Sequence, residues 1–392
     1  MNRPRRRLAP PGRTDITTIT RHLPCASRLV LVARAAGRCE FDGCNKYLFR
    51  DPVTKTAGNF AQVAHIIAFS PAGPRGARAL AAEIKDDLPN LMLLCHVHHI
   101  LVDNNEALYP VRALRAFKRR HEARIKHLTG LPSDSFTTVL ILKSRIGTRT
   151  VQVTRAQVQR AIAPRYPAAD DFVEIDLTTI PDDNNPGFIA SAKAAIDAHT
   201  SRLYETRYDG KPLTHISVFA LAPIPILMYL GSHLSDKVPV ALYQRHRDTE
   251  GWAWKTRGTP VQFGIHRVRE GSDRDAVALL LSISGRVGIN DLPRAIDGRF
   301  TIYEIAPLTI TPRLRLLRTR ADLGAFTRAY EAAMTSITTD HPGLTEVLLF
   351  PAVPAPAAIA AGRALLEKRH PRVVVYDFDK RANGFTETVR IN

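Results

Sequence analysis

Three cysteines and one histidine occur in two closely spaced pairs. Four residues separate Cys39 from Cys44, and two separate Cys95 from His98. Thiolates and imidazoles are the ligands that tetrahedral zinc prefers, and two short ligand pairs can cross-link a small irregular domain. The spacing therefore predicts a structural zinc site. Cys25 lies outside this pattern, and we interpret it as a small core residue.

Residues suited to phosphodiester hydrolysis surround the predicted zinc site. His65 stands in the sequence VAHI, Asn90 in PNLMLLC, and His99 directly follows His98. An imidazole can activate water near neutral pH, and a divalent cation can stabilise the charge that develops on the phosphate. These residue types fit a metal-dependent phosphodiester hydrolase.

The motifs together resemble an HNH endonuclease domain of the zinc-stapled ββα-metal type, over about residues 30–128. They are Cys-x4-Cys, AHI, the GPRG loop, NLMLLC-x2-HH-x2-VD and the basic helix that follows. The resemblance implies that His65 is the general base, that Asn90 fixes the loop holding the base, and that His99 ligates a catalytic divalent ion such as Mg²⁺. The zinc would then be structural. Exchanged roles for His98 and His99 are the alternative.

One position departs from this family pattern. Many HNH enzymes carry an acidic residue just before the base histidine as a second metal ligand, whereas this sequence has Ala64 there. The remaining ligand of the catalytic ion therefore stays open among Asp103, Asp86, Asp87 and water.

A basic helical pattern follows the histidines. Apolar residues recur at helical spacing between about Cys95 and Leu128, and cations cluster along the same stretch. Such a helix could lie along a phosphate backbone and give affinity without base readout, so we expect little sequence specificity. A solvated helix face is the alternative. The predicted DNA contacts are Lys118, Arg119, Arg120 and Arg124, with Arg112 and Arg115 nearer the start of the helix.

The composition favours a soluble protein with an anionic partner. The 392 residues suit two or three domains, and 45% hydrophobic with 23% charged residues exclude global disorder and a fibrous repeat. The net charge is +18, and residues 1–130 hold 22 basic against 10 acidic side chains. Four cysteines are too few for a disulfide framework. No apolar stretch suits a membrane span or a secretory signal, so we expect a cytoplasmic location.

The predicted elements define an α/β chain of two folded domains. We predict a basic N-terminal tail over 1–26, the HNH domain over 27–130, a linker rich in turn residues over 131–136, and the sensor domain described below over 137–392. The last region alternates apolar strands with Ala-rich helical patterns, which is a βαβ signature. The strands predicted there are Thr138–Leu142, Ile216–Leu221, Val240–Tyr243, Ala276–Ser282, Glu346–Phe350 and Arg372–Tyr376.

The C-terminal region contains two similar segments. FALAPIPILMYLG at 219–231 aligns without gaps on FPAVPAPAAIAAG at 350–362, with a constant offset of 131 residues. Each copy is followed by a β-rich segment that contains a tyrosine, VPVALY and RVVVYD respectively. This order predicts a duplicated Rossmann-like unit, and two unrelated strand–helix turns are the alternative. The main matched residues are Pro223 with Pro354, Pro225 with Pro356, and Gly231 with Gly362.

These segments, together with WAW at 252–254, resemble a SAVED domain over about residues 136–392. SAVED domains fuse two CARF-like Rossmann units and sense cyclic oligonucleotides. Rossmann-like sheets bind nucleotides at the carboxyl ends of their strands, so two copies would enclose one pocket for a cyclic dinucleotide or trinucleotide. For each pocket residue, a core or solvated position is the alternative. The predicted pocket residues are the wall prolines Pro223, Pro225, Pro354 and Pro356, the stacking rings Tyr243, Trp252 and Trp254, and the cations Lys143 and Arg245.

The whole chain resembles the HNH–SAVED effector nuclease of bacterial CBASS anti-phage systems. The resemblance implies a CD-NTase partner that makes the messenger, ligand-driven homo-oligomerisation, and degradation of double-stranded DNA that kills the infected cell. Two alternatives stay open. One is a modification-dependent HNH restriction endonuclease. The other is a zinc-stapled, nucleotide-sensing DNA-binding regulator without catalysis, which Ala64 favours.

Overall fold

The chain forms two compact units. The computed structural model describes residues 23–68, 70, 72–76, 87–145, 152–180, 186–205, 210, 212–379 and 383–392. The division falls between Pro132 and Ser133, inside the segment predicted as a linker. None of the described helices is both long and apolar enough to cross a membrane.

The first unit is built on one antiparallel strand pair followed by helices. Its described elements are α1 (Cys25–Arg34), β1 (Ala61–His65), a 3-10 turn (Leu88–Asn90), β2 (Leu91–Cys95), α2 (His96–Asn104) and α3 (Val111–Thr129). In the strand pair Ala61 lies opposite Cys95, and His65 lies opposite Leu91. Every residue of β2 is buried, because its sequence LMLLC carries apolar side chains on both faces. Because α2 begins directly after Cys95, the first helical turn stays next to the end of β2.

The basic region contains two helices, whereas its periodicity predicts one continuous pattern from Cys95 to Leu128. Residues 105–110 separate α2 from α3. Pro110 is the N-cap residue of α3, with extended backbone angles. Proline has no amide hydrogen to donate and disfavours a helical conformation in the residue before it, so the chain is interrupted there.

The first half of the second unit is a parallel sheet with helices. Its elements are β3 (Phe136–Lys143), α4 (Arg155–Ile162), β4 (Tyr166–Pro167), β5 (Val173–Asp176), α5 (Pro186–Glu205), β6 (Ile216–Leu221), α6 (Ile224–Ser232) and β7 (Val240–Leu242). The strand order is β4-β3-β6-β7, and β5 also pairs with β3. All of these pairings are parallel.

The second half forms a six-stranded sheet. Its elements are β8 (Phe263–Arg269), β9 (Ala276–Ser282), a 3-10 turn (Ile289–Asp291), β10 (Thr301–Pro307), α7 (Arg320–Asp340), β11 (Glu346–Ala352), α8 (Ala355–Arg363), β12 (Arg372–Asp379) and β13 (Gly384–Ile391). The strand order is β13-β12-β11-β9-β10-β8. The four inner strands are parallel, and both edge strands are antiparallel to their neighbours.

Three apolar cores hold the second unit together. The largest joins one face of each sheet to α5, α6, α7 and α8. The other face of the first sheet packs against α4 and against Tyr243 and Trp252. The other face of the second sheet, which includes Phe385 of β13, is covered by residues such as Val287 and Ile296. Strand residues therefore alternate between two cores, as a sheet covered on both faces requires.

The two segments matched by sequence are equivalent strand–helix units. β6 leads through Pro223 into α6, and β11 leads through Pro354 into α8. The two helices cross with backbone against backbone. A Cβ atom on Gly231 would clash with the Ile359 carbonyl, and one on Gly362 would clash with the Met228 carbonyl. The same contact thus occurs twice with the roles exchanged, since the offset of 131 residues relates Met228 to Ile359 as well.

Candidate functional site

The four predicted zinc ligands lie together in the first unit. One ligand atom from each of Cys39, Cys44, Cys95 and His98 lies within 4.8 Å of the others. The Nδ1 atom of His98 lies 3.2 Å from the Cys95 sulfur and 3.6 Å from the Cys39 sulfur. The cluster can bind a metal ion, and three thiols with one imidazole suit a tetrahedral structural zinc. The side chain of the fourth cysteine, Cys25, is exposed at the start of α1, so its interpretation as a core residue is wrong.

Neighbouring groups hold these ligands in place. The Phe41 ring stacks on the His98 imidazole, with ring centroids 4.0 Å apart. The backbone N–H of Cys95 donates to the Cys39 sulfur over 3.3 Å. Burial raises the pKa of the Cys39 thiol to about 12 in the metal-free protein. A metal ion that displaced this proton would therefore be bound by a well-packed, desolvated thiolate.

Asn90 fixes the chain immediately after β1. Its side-chain Oδ1 accepts from the Ile67 amide over 2.9 Å, and its Nδ2 donates to the Ile67 carbonyl over 3.0 Å. The Ile66 amide donates to the Asn90 carbonyl over 2.8 Å. Asn90 is 3% exposed. Because His65 is the last residue of β1, this amide holds the turn that directly follows the predicted base.

His99 lies on α2 beside a carboxylate. Its Nδ1 is 3.6 Å from Asp103 Oδ2, one helical turn later. The other oxygen of Asp103 accepts from Arg75 Nη2 over 2.9 Å. One carboxylate therefore connects Arg75 to His99, and the imidazole keeps Nε2 for other ligands.

Arg75 is a site residue that the sequence reasoning did not single out. Its side chain is 4% exposed. Its Nε donates to the Ile66 carbonyl over 2.9 Å and its Nη1 to the Val102 carbonyl over 2.6 Å, while its own amide donates to Glu106. Arg75 thus joins the turn after β1 to α2. The only signal in the sequence is its place in the GPRG loop, where an arginine is not expected to be buried.

The structure distinguishes between the residues that the sequence offers as a second ligand of the catalytic ion. Asp103 lies beside His99 and is ion-paired with Arg75. Asp87 is exposed ahead of the 3-10 turn, and Asp86 lies outside the described residues. Ala64 is 3% exposed and packs in the core of the first unit. A carboxylate at position 64 would therefore lie among apolar side chains in this structure.

Lys118 is an internal cation and not a DNA contact. It is 4% exposed, and its Nζ lies 2.6 Å from Glu122 Oε1 and 3.8 Å from Glu40 Oε1. Burial raises the pKa of Glu40 to about 7, and the charge of Lys118 opposes this shift. The prediction that Lys118 contacts DNA is corrected for this reason, because its charge already balances two carboxylates.

The other predicted DNA contacts are exposed on α3. Arg120 is ion-paired with Asp42, and Arg124 donates to Asn45. Arg119 is exposed, and the described residues offer it no ion pair or hydrogen bond. Three further exposed cations without such partners share its face of the helix. This exposed face comprises Arg112, Arg115, Arg119 and Lys126.

Two helix N-termini lie at the carboxyl ends of equivalent strands in the second unit. α6 follows Pro223 at the end of β6, and α8 follows Pro354 at the end of β11. Pro225 and Pro356, the second residues of these helices, are buried. Neither helix has a side-chain cap, so first-turn N–H groups keep their capacity to bind an anion. The four predicted wall prolines are thus the residues that begin the two helices.

Two of the three predicted stacking rings belong to the core. Tyr243 and Trp252 are 2% and 1% exposed. The Tyr243 ring stacks on Phe219 with centroids 4.5 Å apart, and the Trp252 ring contacts the same phenylalanine edge-on at 5.4 Å. Their predicted role as platforms for bases is corrected, because neither ring offers a free face.

Trp254 lines a surface cavity, as the buried Trp252 does, but Trp254 keeps part of its ring exposed. Its indole N–H donates to the Leu242 carbonyl over 2.9 Å, and its ring is only half-buried. The cavity has a volume of about 600 Å³. Four of its lining side chains are cationic, so the surroundings of Trp254 favour an anion. They are Arg160, Lys255, Arg257 and Arg318.

The predicted phosphate-binding cations have carboxylate neighbours. Lys143 Nζ lies 3.0 Å from Glu174 Oε2 and 3.1 Å from Asp176 Oδ2, and the hydrogen bonds that it donates to these carboxylates raise the pKa of Lys143. Arg245 lies 3.8 Å from Glu250, and its buried Nε has no hydrogen-bond partner among the described residues. Lys143 is therefore already neutralised, whereas Arg245 retains an unused donor.

Comparison with known proteins identifies the C-terminal region. Residues 200–391 match the family described as "SMODS-associated and fused to various effectors sensor domain", abbreviated SAVED. The chain therefore contains a SAVED sensor domain over these residues. No curated protein matches the sequence at a significant level.

Two solved receptors are also similar to the chain. One is the Acinetobacter baumannii Cap4 SAVED/CARF-domain containing receptor with the cyclic trinucleotide 2'3'3'-cAAA. It shows 12% identity and a TM-score of 0.43, over 81% of this chain and 62% of the receptor chain. The other is the Moraxella osloensis Cap4 SAVED/CARF-domain containing receptor, with 11% identity and a TM-score of 0.38, over 81% of this chain and 70% of the receptor chain.

Proposed function

We propose that this protein is a metal-dependent HNH endonuclease that degrades double-stranded DNA when its SAVED domain binds a cyclic oligonucleotide. One observation carries the nuclease assignment. The Asn90 side-chain amide bonds both backbone polar groups of Ile67, two residues after His65. On α2, His99 directly follows His98, whose imidazole belongs to the cluster with the three thiols. A base, its positioning amide and a metal-binding imidazole are thereby supported by a single cross-linked frame.

The proposed chemistry follows from the positions of these groups. The His65 imidazole accepts a proton from the water that attacks the scissile phosphorus, and the Asn90 clamp keeps the turn after His65 fixed. His99 would hold a catalytic divalent ion through Nε2, because its Nδ1 faces Asp103, which is a common arrangement for a metal-binding histidine. A divalent ion such as Mg²⁺ bound there would supply stabilisation of the charge on the phosphate and the leaving oxygen. The Cys39, Cys44, Cys95 and His98 cluster would hold a structural zinc ion.

DNA lies against the exposed face of α3 in this proposal. Arg112, Arg115, Arg119 and Lys126 have no ion-pair partner among the described residues, so their charges are free for phosphates. Contacts of this kind read the backbone and not the bases. The expected cleavage therefore has little sequence specificity and a strong dependence on salt.

The SAVED domain supplies the control. The uncapped N-termini of α6 and α8 present two sets of N–H groups at the ends of equivalent strands, and each set suits one phosphate of a cyclic oligonucleotide. Such a messenger can activate the nuclease only if it binds the active assembly more tightly than the inactive protein. We place this switch in ligand-driven homo-oligomerisation, in the cytoplasm, within a CBASS anti-phage system whose CD-NTase makes the messenger.

A plasmid-cleavage experiment tests the proposal. Purified protein with Mg²⁺ is mixed with supercoiled plasmid and a panel of cyclic dinucleotides and trinucleotides. We expect one messenger to switch on nicking and degradation, and we expect the His65→Ala protein to stay inactive. His96→Ala is the matched control, because His96 is exposed on the same helix as His99.

Each other outcome favours a different function. Cleavage that ignores every cyclic nucleotide but depends on the modification state of the DNA would replace the proposal with a restriction endonuclease. Messenger binding without cleavage under any metal would favour a DNA-binding regulator. Equal cleavage by the wild type and His65→Ala would remove His65 as the base.

A further inference from the structure

The two halves of the SAVED-containing unit share a helix pair. In the first half α5 packs against α6, and in the second half α7 packs against α8. The buried positions of α5 recur in α7 with the same spacing, which aligns the two helices. The matched residues are Phe188 with Asp322, Ala192 with Phe326, Ile196 with Tyr330, Thr200 with Met334, and Leu203 with Ile337.

This alignment identifies a local difference between the halves. The match of α5 with α7, and the gapless match of α6 with α8, relate four polar side chains of the first half to their counterparts in the second, three of which are smaller. Two rings of the first half correspond to two alanines, whereas a carboxylate is kept. The pairs are Lys193 with Thr327, Asp197 with Glu331, Tyr229 with Ala360, and His233 with Ala364.

In the first half these side chains fill the space between the helices. Tyr229 Oη donates to Asp197 Oδ1 over 2.8 Å, and His233 Nε2 lies 3.1 Å from the same oxygen. The Tyr229 and His233 ring centroids are 4.3 Å apart. The Lys193 ammonium lies 4.8 Å from the centre of the tyrosine ring. Two rings in contact, both bonded to one carboxylate, thus occupy this place.

In the second half a cavity of about 730 Å³ takes the place of the two rings. Thr327, Glu331, Ala360 and Ala364 all line it. Its volume lies within the range of about 300–1,000 Å³ that is typical of small-molecule sites. The carboxylate of Glu331 therefore lines an open space. Its counterpart Asp197 contacts the Tyr229 phenol and the His233 imidazole.

The remaining lining residues add positive charge. Arg320, Arg328 and Arg363 line the cavity, together with Asp236 and His215. Arg363 donates to two backbone carbonyls through Nη2, but its buried Nε has no hydrogen-bond partner among the described residues. Burial, and then nearby arginines, lower the pKa of His215 to about 4, so that its imidazole is neutral at pH 7.

We propose that this cavity binds a mononucleotide. A planar base takes the place of the Tyr229 and His233 rings, an N–H group of the base donates to Glu331, and the phosphate meets the guanidinium groups. The cavity lies at the carboxyl end of α8, whereas the messenger is proposed to bind at the amino ends of α6 and α8. This inference therefore does not depend on the nuclease or on the messenger site.

Titration calorimetry on the full chain tests the inference. The probes are AMP, GMP and ATP, with adenosine as a probe that lacks phosphate. The double variant Ala360→Tyr/Ala364→His restores both rings of the first half, and we expect it to lose binding. Ala332→Tyr is the matched control, since Ala332 is exposed on α7 and does not line the cavity. We expect this control to bind like the wild type and adenosine to bind about tenfold more weakly than AMP.

A second variant tests the inference even if the double variant does not fold. Glu331 is exposed, so Glu331→Ala keeps the fold, and we expect binding about tenfold weaker through loss of a charged hydrogen bond. The inference is overturned if the wild type binds none of the nucleotides, or if the double variant binds them unchanged. It is also overturned if the double variant loses cyclic-oligonucleotide binding, because the cavity would then belong to the messenger site.

Discussion

At the residue scale, the exchange of the Ile67 amide hydrogen with solvent tests whether Asn90 fixes the turn after β1. Both groups of its side-chain amide are bonded to Ile67 in a buried turn. In Asn90→Ala these backbone groups lose their partners, which costs about 1–3 kcal/mol. We expect the Ile67 amide to exchange faster with solvent and cleavage to fall, as measured by hydrogen exchange and the plasmid assay. Asn59→Ala is the control, because Asn59 makes an exposed hydrogen bond in the same segment. Unchanged protection at Ile67 would contradict this role.

The metal cluster predicts a clear difference between two cysteines. Cys44 belongs to the four-ligand cluster, whereas Cys25 is exposed away from it. We expect the wild type and Cys25→Ser to purify with zinc in equal amounts by elemental analysis. Cys44→Ser should lose most of the zinc and melt at a lower temperature, because a structural zinc contributes directly to folding. Equal zinc content in the two variants would place the metal elsewhere.

Arg75 is proposed to position the catalytic centre without touching DNA. Its guanidinium links the turn after β1 to Asp103, which faces His99. Arg75→Lys keeps the charge but cannot make the same set of bonds. We expect cleavage by this variant to need a higher Mg²⁺ concentration for half-maximal rate, with the zinc content unchanged. Arg50→Lys, at an exposed arginine, is the control. An unchanged Mg²⁺ dependence would show that Arg75 supports the fold but does not position the catalytic centre.

Sequence reasoning succeeded where residue types and local spacing together indicate the chemistry. Spacing identified the pairs Cys39 with Cys44 and Cys95 with His98, and the preference of zinc for four such ligands predicted that the two pairs meet. Arg75 has partners almost thirty residues away, so its burial has no local signature. Aromatic residues failed for a related reason, because a tyrosine or tryptophan suits a core and a ligand pocket equally well.

At the scale of elements, the cations of α3 differ in how far they are buried. Lys118 points inward to Glu40 and Glu122, while Arg115 and Arg119 are exposed. We expect Arg115→Ala/Arg119→Ala to weaken DNA binding and to lower the slope of log affinity against log salt by about one unit per lost phosphate contact. Fluorescence polarisation with the His65→Ala protein measures this slope without cleavage.

Lys118→Met is the matched comparison for that experiment. It removes one positive charge from the same helix, but leaves two carboxylates without their internal cation. We expect a lower unfolding temperature and a nearly unchanged salt slope, because breaking a buried pair is costly while no phosphate contact is lost. A salt slope reduced equally in both proteins would show that Lys118 reaches DNA after all.

Elements were predicted best where burial is continuous. β6 and β9 have the predicted bounds, because inner parallel strands read as uninterrupted apolar runs. The edge strands β8 and β13 were missed, since charged and polar residues interrupt their apolar pattern and each lies at an edge of the sheet that the described residues form. The periodic pattern of α2 and α3 was recognised, but the effect of Pro110 on its continuity was not.

At the scale of the whole molecule, the duplication was visible in sequence at the prolines that begin α6 and α8 and at the glycines where the two helix backbones touch. Gly231 and Gly362 are matched because the crossing of α6 and α8 leaves no room for a side chain at either position. The match of α5 with α7 is hidden, since those helices share a pattern of burial but not of residue types. Close backbone contact requires the same residue type, glycine, in both halves. Core packing requires only that the apolar side chains fill the same volume.

The crossing of α6 and α8 gives a prediction for the whole second unit. Alanine favours a helix over glycine by roughly 1 kcal/mol, so Gly231→Ala or Gly362→Ala should stabilise an isolated helix. In the protein the new Cβ atom meets the carbonyl of Ile359 or Met228. We expect each variant to be destabilised by about 1–3 kcal/mol, because overpacking forces the backbones apart.

Urea unfolding followed by tryptophan fluorescence measures this loss, because both tryptophans of the chain, Trp252 and Trp254, lie in the second unit. Gly298→Ala is the control, since nothing lies within 4 Å of a Cβ atom there. The contact is the same in both halves with the roles exchanged, so the two variants should lose similar stability. The double variant should lose less than the sum, because one separation of the helices relieves both clashes. Strict additivity would mean that the two glycines act at independent contacts and that the helices do not cross as one symmetric pair.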